Sequence, residues 1–535
     1  MLYNVTDDDH IPLSVHLNGD NMPRLTNETN DIVHRVKWSN INDHELNKYH
    51  QNTCKSLAEI ELPTESLNCK NLNCTNKQHI QDLDRLYKST IDSLSASGAH
   101  LTNRMCKNYV QRPGWTVYVS DLYDYSKACR QAWLNANEPI QGEIHEDYIK
   151  SRARFKHALR FISKNEDRMR KEAMARKLAD KKKTEFWKEV SETNKYRTPL
   201  PDSINEANGQ DEIVELWKKH FNDIFNCLKD RTNYSYNNKL QSSINEVTVK
   251  AFMIRDAIKK LSLNKSCGLD GITAEHLKYA SERIHYILSM CITGFFVHGY
   301  LPESMLSVLI VPVIKDKAGN INSKDNYRPI ALASIIGKVV EIIMLDRMET
   351  CLMTQHNQFG FKKKLGTDQC IFALKELISK YNSRGSCIYT CFLDTSKAFD
   401  RVNHSKLFRK LADRGTPGYL LRILVFWYEN QTMYIRWGSK ISDKFHVTNG
   451  VRQGSILSPH LFKIYVDDLS IILNSFKIGC SVSDLIINHF MYADDIVLIS
   501  PSSAGLKRLI DTCQQLGARF LTSLLIISCM QMILY

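Results

Sequence analysis

The chain has 535 residues, 43% of them apolar, and carries a formal net charge of +13. That excess of cations favours a polyanionic partner through non-specific affinity, and no apolar run reaches the ~18–20 residues that a bilayer-spanning helix needs. Fifteen unevenly spaced cysteines and no leading signal peptide argue against a secreted disulfide framework and for reduced thiols in an intracellular compartment.

In chain order, residues 1–18 hold an acidic turn, Asp7-Asp8-Asp9-His10, before a strand-like run at 11–17. Residues 19–140 are polar, Asn-rich and weakly periodic, with helix-like stretches such as 80–95. Cys69-x4-Cys74-x4-His79, with Cys54 upstream, matches none of the common zinc spacings, so no metal is expected there. Residues 152–188 carry fourteen Lys or Arg against five Asp or Glu, with Phe155, Leu159 and Ile162 at helical spacing. Such a segment docks one face and exposes charge on the other. It reads either as a solvated amphipathic helix or as an element that tracks an RNA backbone with strong salt dependence. Thr198-Pro199-Leu200-Pro201-Asp202 ends the helical pattern and marks a boundary.

The spacing next predicts an amphipathic helix over 212–225, then a Gly-containing loop, Asn264-Lys265-Ser266-Cys267-Gly268-Leu269-Asp270-Gly271-Ile272. Residues 308–314 are an apolar strand ending at Lys315, and Pro312 within it marks an edge strand or a bulge. Asn326-Tyr327-Arg328-Pro329-Ile330-Ala331-Leu332 follows, then a helix through Lys338 and Glu341. Lys315 as a point charge and Arg328 as a bidentate fork, bracketing a turn, are what a triphosphate needs, although either alone is a common surface charge. After Gln358-Phe359-Gly360-Phe361-Lys362-Lys363-Lys364, Thr367 is the expected N-cap of a helix.

The chemistry concentrates in two stretches. Residues 388–394 predict a buried strand that delivers Asp394 at its carboxyl end. Phe490-Met491-Tyr492 and Ile496-Val497-Leu498-Ile499 predict two short strands with Ala493-Asp494-Asp495 at the turn. Two carboxylates ~4 Å apart repel by roughly 4 kcal/mol at an effective dielectric near 20, so a buried pair needs a cation. Strands lying side by side bring Asp394 against Asp494 and Asp495, and such an oxygen set suits a Mg²⁺ pair. Two ions ~3.5–4 Å apart clamp the attacking and leaving oxygens of an in-line phosphoryl displacement. Between the two stretches, Asn449-Gly450-Val451-Arg452-Gln453-Gly454-Ser455 opens a flexible loop suited to lie against a base pair and its backbone. Asp467 and Asp468, on the following helix, diverge by ~100° and cannot share a metal. Asp400 stands outside the triad and is expected to make a local polar contact.

Tyr492-Ala493-Asp494-Asp495 resembles the Y-x-D-D box of reverse transcriptases. Phe392-Leu393-Asp394 with Lys397-Ala398-Phe399-Asp400 resembles their first palm aspartate motif in its non-LTR retrotransposon (LINE-type) form. Residues 450–459 are similar to the family's G-x-R-Q-G-x-x-x-S-P block, 264–272 to its amino-terminal extension motif, and 326–332 and 358–364 to its fingers blocks. The resemblance implies an RNA-directed DNA polymerase with an α+β right-hand fold. Fingers and an antiparallel palm sheet with helices follow a mostly helical connector. Asp394, Asp494 and Asp495 would hold two Mg²⁺ ions, or Mn²⁺ in their place. Lys315, Arg328, Phe399 and Gln453 would contact the nucleotide, with the Phe399 ring excluding a 2′-OH by clash. Lys265, Gly268, Gln358, Gly360, Arg452 and Gly454 would contact template and primer. The implied partners are an RNA template, a DNA primer and dNTPs, with no membrane and the oligomeric state left open. The nucleus, with a cytoplasmic ribonucleoprotein stage, is the implied location.

The resemblance also divides the chain. Asp9-His10-x-Pro12 is similar to the closing S-D-H-x-P motif of an apurinic-type endonuclease, so 1–18 reads as a remnant of that domain without activity. Residues 19–198 read as connector, 199–307 as amino-terminal extension and 308–518 as fingers and palm. Residues 519–535 read as an aberrant or truncated tail with the thumb largely absent, which implies poor processivity. Two rivals stand beside this reading. One is a catalytically inactive nucleic-acid-binding relic. The other is an RNA-directed RNA polymerase, disfavoured by Phe399 and by Ala493 where those enzymes usually carry Gly.

Overall fold

The computed structural model describes residues 36, 38, 41–72, 74–101, 115–180, 186–187, 190, 200–228, 244–316, 318–395, 397–520 and 525–526. Asp9, His10 and the endonuclease-like segment lie outside these residues. The described chain mixes helices with two main sheets, an α+β arrangement. No described helix is long and apolar enough to cross a membrane.

The first helices are α1 (Asp43–Ser56), α2 (Lys77–Ser97), α3 (Ser120–Asn135), α4 (Glu143–Lys164) and α5 (Glu166–Ala179). The Asn42 side chain accepts from Glu45 N at 2.9 Å, which satisfies one of α1's otherwise unpaired first-turn donors. Phe155, Ala158 and Ile162 of α4 are buried with Val119 in a small core of their own. The cationic run expected as one helical element is broken at Asn165, whose Nδ2 donates to Phe161 O at 2.9 Å and closes α4. On α5, Arg170 pairs with Glu166 at 2.7 Å and Arg168 with Glu172 at 2.9 Å, so part of that charge is internally matched.

Helix α6 (Gly209–Phe225) follows, then α7 (Arg283–His298), which buries Ile284, Leu288, Cys291, Ile292, Phe295 and Phe296. Strand β1 (Ser307–Ile314) pairs antiparallel with β2 (Tyr327–Leu332). After α8 (Ile335–Arg347) and α9 (Thr367–Asn382) comes β3 (Tyr389–Thr395). Then come α10 (His404–Asp413), α11 (Gly418–Glu429), β4 (Thr432–Trp437) and α12 (Ser458–Ser475). Hairpin strands β5 (His489–Tyr492) and β6 (Asp495–Ser500), α13 (Ser503–Phe520) and β7 (Leu525–Ile526) complete the order.

Two local expectations are corrected. Pro312 lies on a strand that is interior only in its first half. Strand β4 pairs in parallel with Ser307 to Ile310, and past that point Pro312 faces only Pro329 of β2. A residue without an N–H is therefore placed where one flank has no ladder to supply. The cap of α9 is Gly366, not Thr367: Gly366 N donates to Gln369 Oε1 at 2.7 Å.

One sheet runs β2-β1-β4 with two short strands beyond, and the other runs β5-β6-β3-β7 with every pairing antiparallel. They are cored separately. Val308, Ile310, Met433 and Ile435 pack with Trp217 and Phe221 of α6 in one cluster. Cys391, Leu393, Met491, Ile496 and Leu498 pack with α7, α8, α11 and α12 in a much larger one. Residues 519–520 extend α13, and Leu525 and Ile526, from the segment read as an aberrant tail, lie opposite Thr395 and Asp394 of β3.

Candidate active site

The acidic doublet is placed by a two-residue hairpin loop. Tyr492 and Asp495 are the last paired positions, so Asp495 begins β6 and the turn itself is Ala493-Asp494, one residue shorter than the sequence predicts. Strand β6 is registered on β3 through Ile496 opposite Leu393, and one further step sets Asp495 beside Asp394. Side chains alternate along a strand. Buried Leu393 and Ile496 therefore point to the core while Asp394 and Asp495 share the open face. Thr395 Oγ1 donates to Asp494 O at 3.1 Å and fixes the loop over the end of β3.

Ala493 holds φ +59°, a left-handed conformation that two-residue hairpin loops favour in Gly. Gln358 supports it, and the sequence gives no sign of this. Its Oε1 accepts from Ala493 N at 3.0 Å and from Gly360 N at 2.9 Å, while Nε2 donates to Ala493 O at 3.3 Å. Gln358 is 1% exposed, so its amide holds the turn and does not face a template. A Cβ on Gly360 would fall on Ala493 N and lie 3.1 Å from its Cα, so Gly360 likewise serves the hairpin.

Asp394, Thr395, Asp494 and Asp495 line a cleft of about 790 Å³, together with Lys315, Lys324, Arg328, Lys397, Phe399 and Gln453. Lys315 and Arg328 come from the end of β1 and from β2 on the separately cored sheet, and both are exposed. Lys324 and Lys397 join them, although neither is among the nucleotide contacts that the resemblance implies. Burial raises the Asp494 carboxyl above its ordinary range. Asp495 and Asp394 raise it further, and Arg328 opposes them. Asp495 is raised by burial and then by Asp394. The three oxygens are not drawn to a single point. Among the described residues the one set of three or more donors mutually within 4.8 Å lies elsewhere.

Phe399 stacks on Phe462 with centroids 4.4 Å apart and meets Phe361 edge-on at 6.2 Å, so its ring is held in one place at the cleft wall. Asp400, beside it, is 3% exposed and accepts from Gln453 Nε2 at 2.8 Å. Burial raises its pKa to about 6, against that hydrogen bond, which lowers it. The expected local polar contact is thus the one that positions Gln453.

Two more template candidates, Arg452 and Gly268, face inward. Arg452 is 3% exposed: Nη2 donates to Glu341 at 3.0 Å and the guanidinium lies 4.5 Å from the Trp427 ring centre. Glu341 also accepts from Ser455 Oγ at 2.6 Å and Ile456 N at 2.7 Å, so the pair anchors the loop from beneath. Gly268 lies against the chain's own backbone, where a Cβ would sit 2.9 Å from Ser334 N. Gly454 has φ +117° and would set a Cβ 2.8 Å from Ala331 O, although it is exposed beside the cleft. Lys265 is exposed on its loop. The helical acids are engaged with partners of their own: Asp467 pairs with Arg414, and Asp468 with Lys410 at 2.9 Å.

Residues 314–524 match the family described as Reverse transcriptase (RNA-dependent DNA polymerase). The Pol polyprotein of the type-2 retrotransposable element R2DM of Drosophila melanogaster is 30% identical over 260 residues, 47% of this chain and 23% of that protein. The RNA-directed DNA polymerase of the Drosophila melanogaster mobile element jockey is 28% identical over 278 residues, 49% of this chain and 29% of that protein. The matched part therefore spans less than a third of either relative. Among solved structures, apo telomerase from Candida tropicalis truncated from its C-terminal domain aligns at a TM-score of 0.31 and 12% identity. That match covers 56% of this chain and 78% of the other, a likeness too loose to carry an argument.

Proposed function

We propose that this chain, which carries a reverse-transcriptase domain of the non-LTR retrotransposon kind over residues 314–524, extends a DNA primer by copying RNA. The observation that carries the reading is the register of β6 on β3, which sets Asp394 and Asp495 side by side below the Asp494 turn. An oxygen-only donor set in which Asp394 raises the pKa of both Asp494 and Asp495 calls for hard cations. Its spread over one wall suits two ions better than one. When bound, a Mg²⁺ pair, or Mn²⁺ in its place, would polarise the primer 3′-OH and neutralise the leaving pyrophosphate.

The chain's own residues do the rest. Lys315 and Arg328, with Lys324 and Lys397, line the same cleft as the carboxylates and offer the triphosphate its cations. Gln453, whose side-chain amide is held by Asp400, lines the cleft where the nucleotide would sit. The β5-β6-β3 sheet plays the palm, and the β2-β1-β4 sheet with α6 lies on the fingers side. Helices α1 to α5 serve as connector, and exposed Lys265 remains available for the template. A nuclear site of action, with a cytoplasmic ribonucleoprotein stage, is part of the same proposal.

Extension of oligo-dT on poly-rA by the full chain tests the reading. RNA binding with no extension under Mg²⁺ or Mn²⁺ would replace it with a catalytically inactive binding protein. Preference for rNTPs over dNTPs would replace it with an RNA polymerase.

Phe399→Val should raise rNTP relative to dNTP incorporation by about tenfold or more, since a ring that rejects a hydroxyl by clash gives way to open space. Competition assays with matched dTTP and UTP read this directly, and an unchanged ratio would make Phe399 an ordinary packing residue. Gly360→Ala should cut extension by about a hundredfold, because a displacement of ~1 Å at a reacting centre costs that much. Its thermal melting should stay close to the parent's, since the displaced hairpin tip lies at the cleft. Equal rates for the two proteins would release Gly360 from this role.

A further inference from the structure

Four potential metal ligands that line no part of the cleft converge, and the polymerase reading does not use them. Cys69, Cys74, His79 and His298 each offer one donor atom, and all four atoms lie within 4.8 Å of one another. We propose that Cys69, Cys74, His79 and His298 bind one structural Zn²⁺ that fastens the amino-terminal helices to α7.

The distances fit a tetrahedron. Bonds of about 2.3 Å to sulfur and about 2.0–2.1 Å to nitrogen put S···N edges near ~3.5 Å and N···N edges near ~3.4 Å. Cys74 Sγ lies 3.5 Å from His79 Nδ1, and His79 Nδ1 lies 3.2 Å from His298 Nε2. One proton on His79 Nδ1 would satisfy one of these contacts and leave the other facing it. A shared cation satisfies both.

The fourth ligand is already oriented. His298 Nδ1–H donates to Gly294 O at 2.9 Å, and a carbonyl can only accept, so the lone pair of a neutral ring sits on Nε2, the atom aimed at the cluster. Zinc-ligating histidines commonly donate their other N–H to a carbonyl in this way. The Cys loop is fixed independently. Arg422 of α11 donates to Phe296 O and Val297 O, each at 2.8 Å, and to Leu72 O between the two cysteines. Tyr300 donates to Asp84 at 2.5 Å and pins α2 to the segment after α7. Two thiols and two imidazoles select zinc over Mg²⁺ or Ca²⁺, and four protein ligands leave no open position for catalysis.

The sequence spacing matches no common framework because the fourth donor lies 219 residues beyond His79. Cys54, the upstream candidate, is exposed on α1 and is not among the four.

The test is zinc analysis by mass spectrometry on the full chain, grown with zinc and purified without chelator. About one zinc per chain is expected, with content reduced about tenfold or more in Cys74→Ser and His298→Gln and unchanged in Cys54→Ser. Co²⁺ exchanged into the unaltered chain should give the intense visible bands of a tetrahedral thiolate site, absent in Cys74→Ser. Should either variant fail to fold, the unaltered chain decides: chelation should lower its melting temperature, and Zn²⁺ but not Mg²⁺ should restore it. A folded chain with no stoichiometric zinc and no cobalt spectrum overturns the site. So does zinc undiminished in both variants, or a Cys69–Cys74 disulfide.

Discussion

Asp494→Ala is expected to reduce primer extension by about a thousandfold or more, the scale on which removing one preorganised electrostatic stabiliser acts. The carboxyl sits at the turn of a hairpin anchored on both sides by Gln358 and Thr395, so its loss should leave the strands paired. Melting temperature and RNA affinity are therefore expected to hold while synthesis disappears. Asp394→Ala and Asp495→Ala should behave alike, because the β3–β6 register gives the three acids one task. Burial and neighbouring charge raise the pKa of Asp494 and Asp495, so protons compete with the cation. The Mg²⁺ concentration for half-maximal rate should accordingly rise as pH falls. Extension by Asp494→Ala within tenfold of the parent would remove the carboxylates from the chemistry.

Glu341→Ala should destabilise the chain by about 3–5 kcal/mol, the range for leaving one member of a buried ion pair without its partner. Three donors lose their acceptor at once: Arg452, Ser455 and the Ile456 amide. Arg452 would keep its place over Trp427, but two further nitrogens of its guanidinium, Nε and Nη1, already have no hydrogen-bond partner among the described residues. Chemical denaturation followed by tryptophan fluorescence measures the loss, since Trp427 lies under the affected cation. Replacing both partners with apolar residues, Glu341→Met with Arg452→Met, should recover most of that stability, yet leave extension impaired because the loop carrying Gln453 has lost its underpinning. A single Glu341→Ala that unfolds with the parent would show the pair to be dispensable.

Strands β1, β3, β5 and β6 and the hairpin are legible because apolar runs and acidic interruptions are local signals, whereas β2 and β4 carry no such mark and α7 and α11, buried on most sides, offer no amphipathic stripe to read. Asp394, Asp494 and Asp495 could be brought together on paper because two adjacent strands require only a register. Arg452 and Gln358 could not be oriented that way. Each stands in a motif whose spacing says nothing about which side of the backbone faces the cleft, and each is turned inward by a partner more than a hundred residues away. His298 was invisible as a ligand for the same reason. The break at Asn165 shows the opposite failure, since a uniform run of cations conceals a helix end made by one amide.

The cleft has the carboxylates on a sheet belonging to one apolar cluster, and Lys315 and Arg328 at strands of a sheet belonging to another. Hydrogen bonds stitch the two banks together: the Ala331 amide donates to Gln453 O at 2.8 Å, and Asn449 Nδ2 bridges Ile224 O at 3.0 Å and Asp400 O at 2.7 Å. Shear between packed layers is inexpensive when neither layer must be repacked. On the proposed reading, a small slide of one layer past the other would change the width of the gap that holds the nucleotide while both interiors stay packed. A cross-link between the banks should slow product translocation before it affects folding.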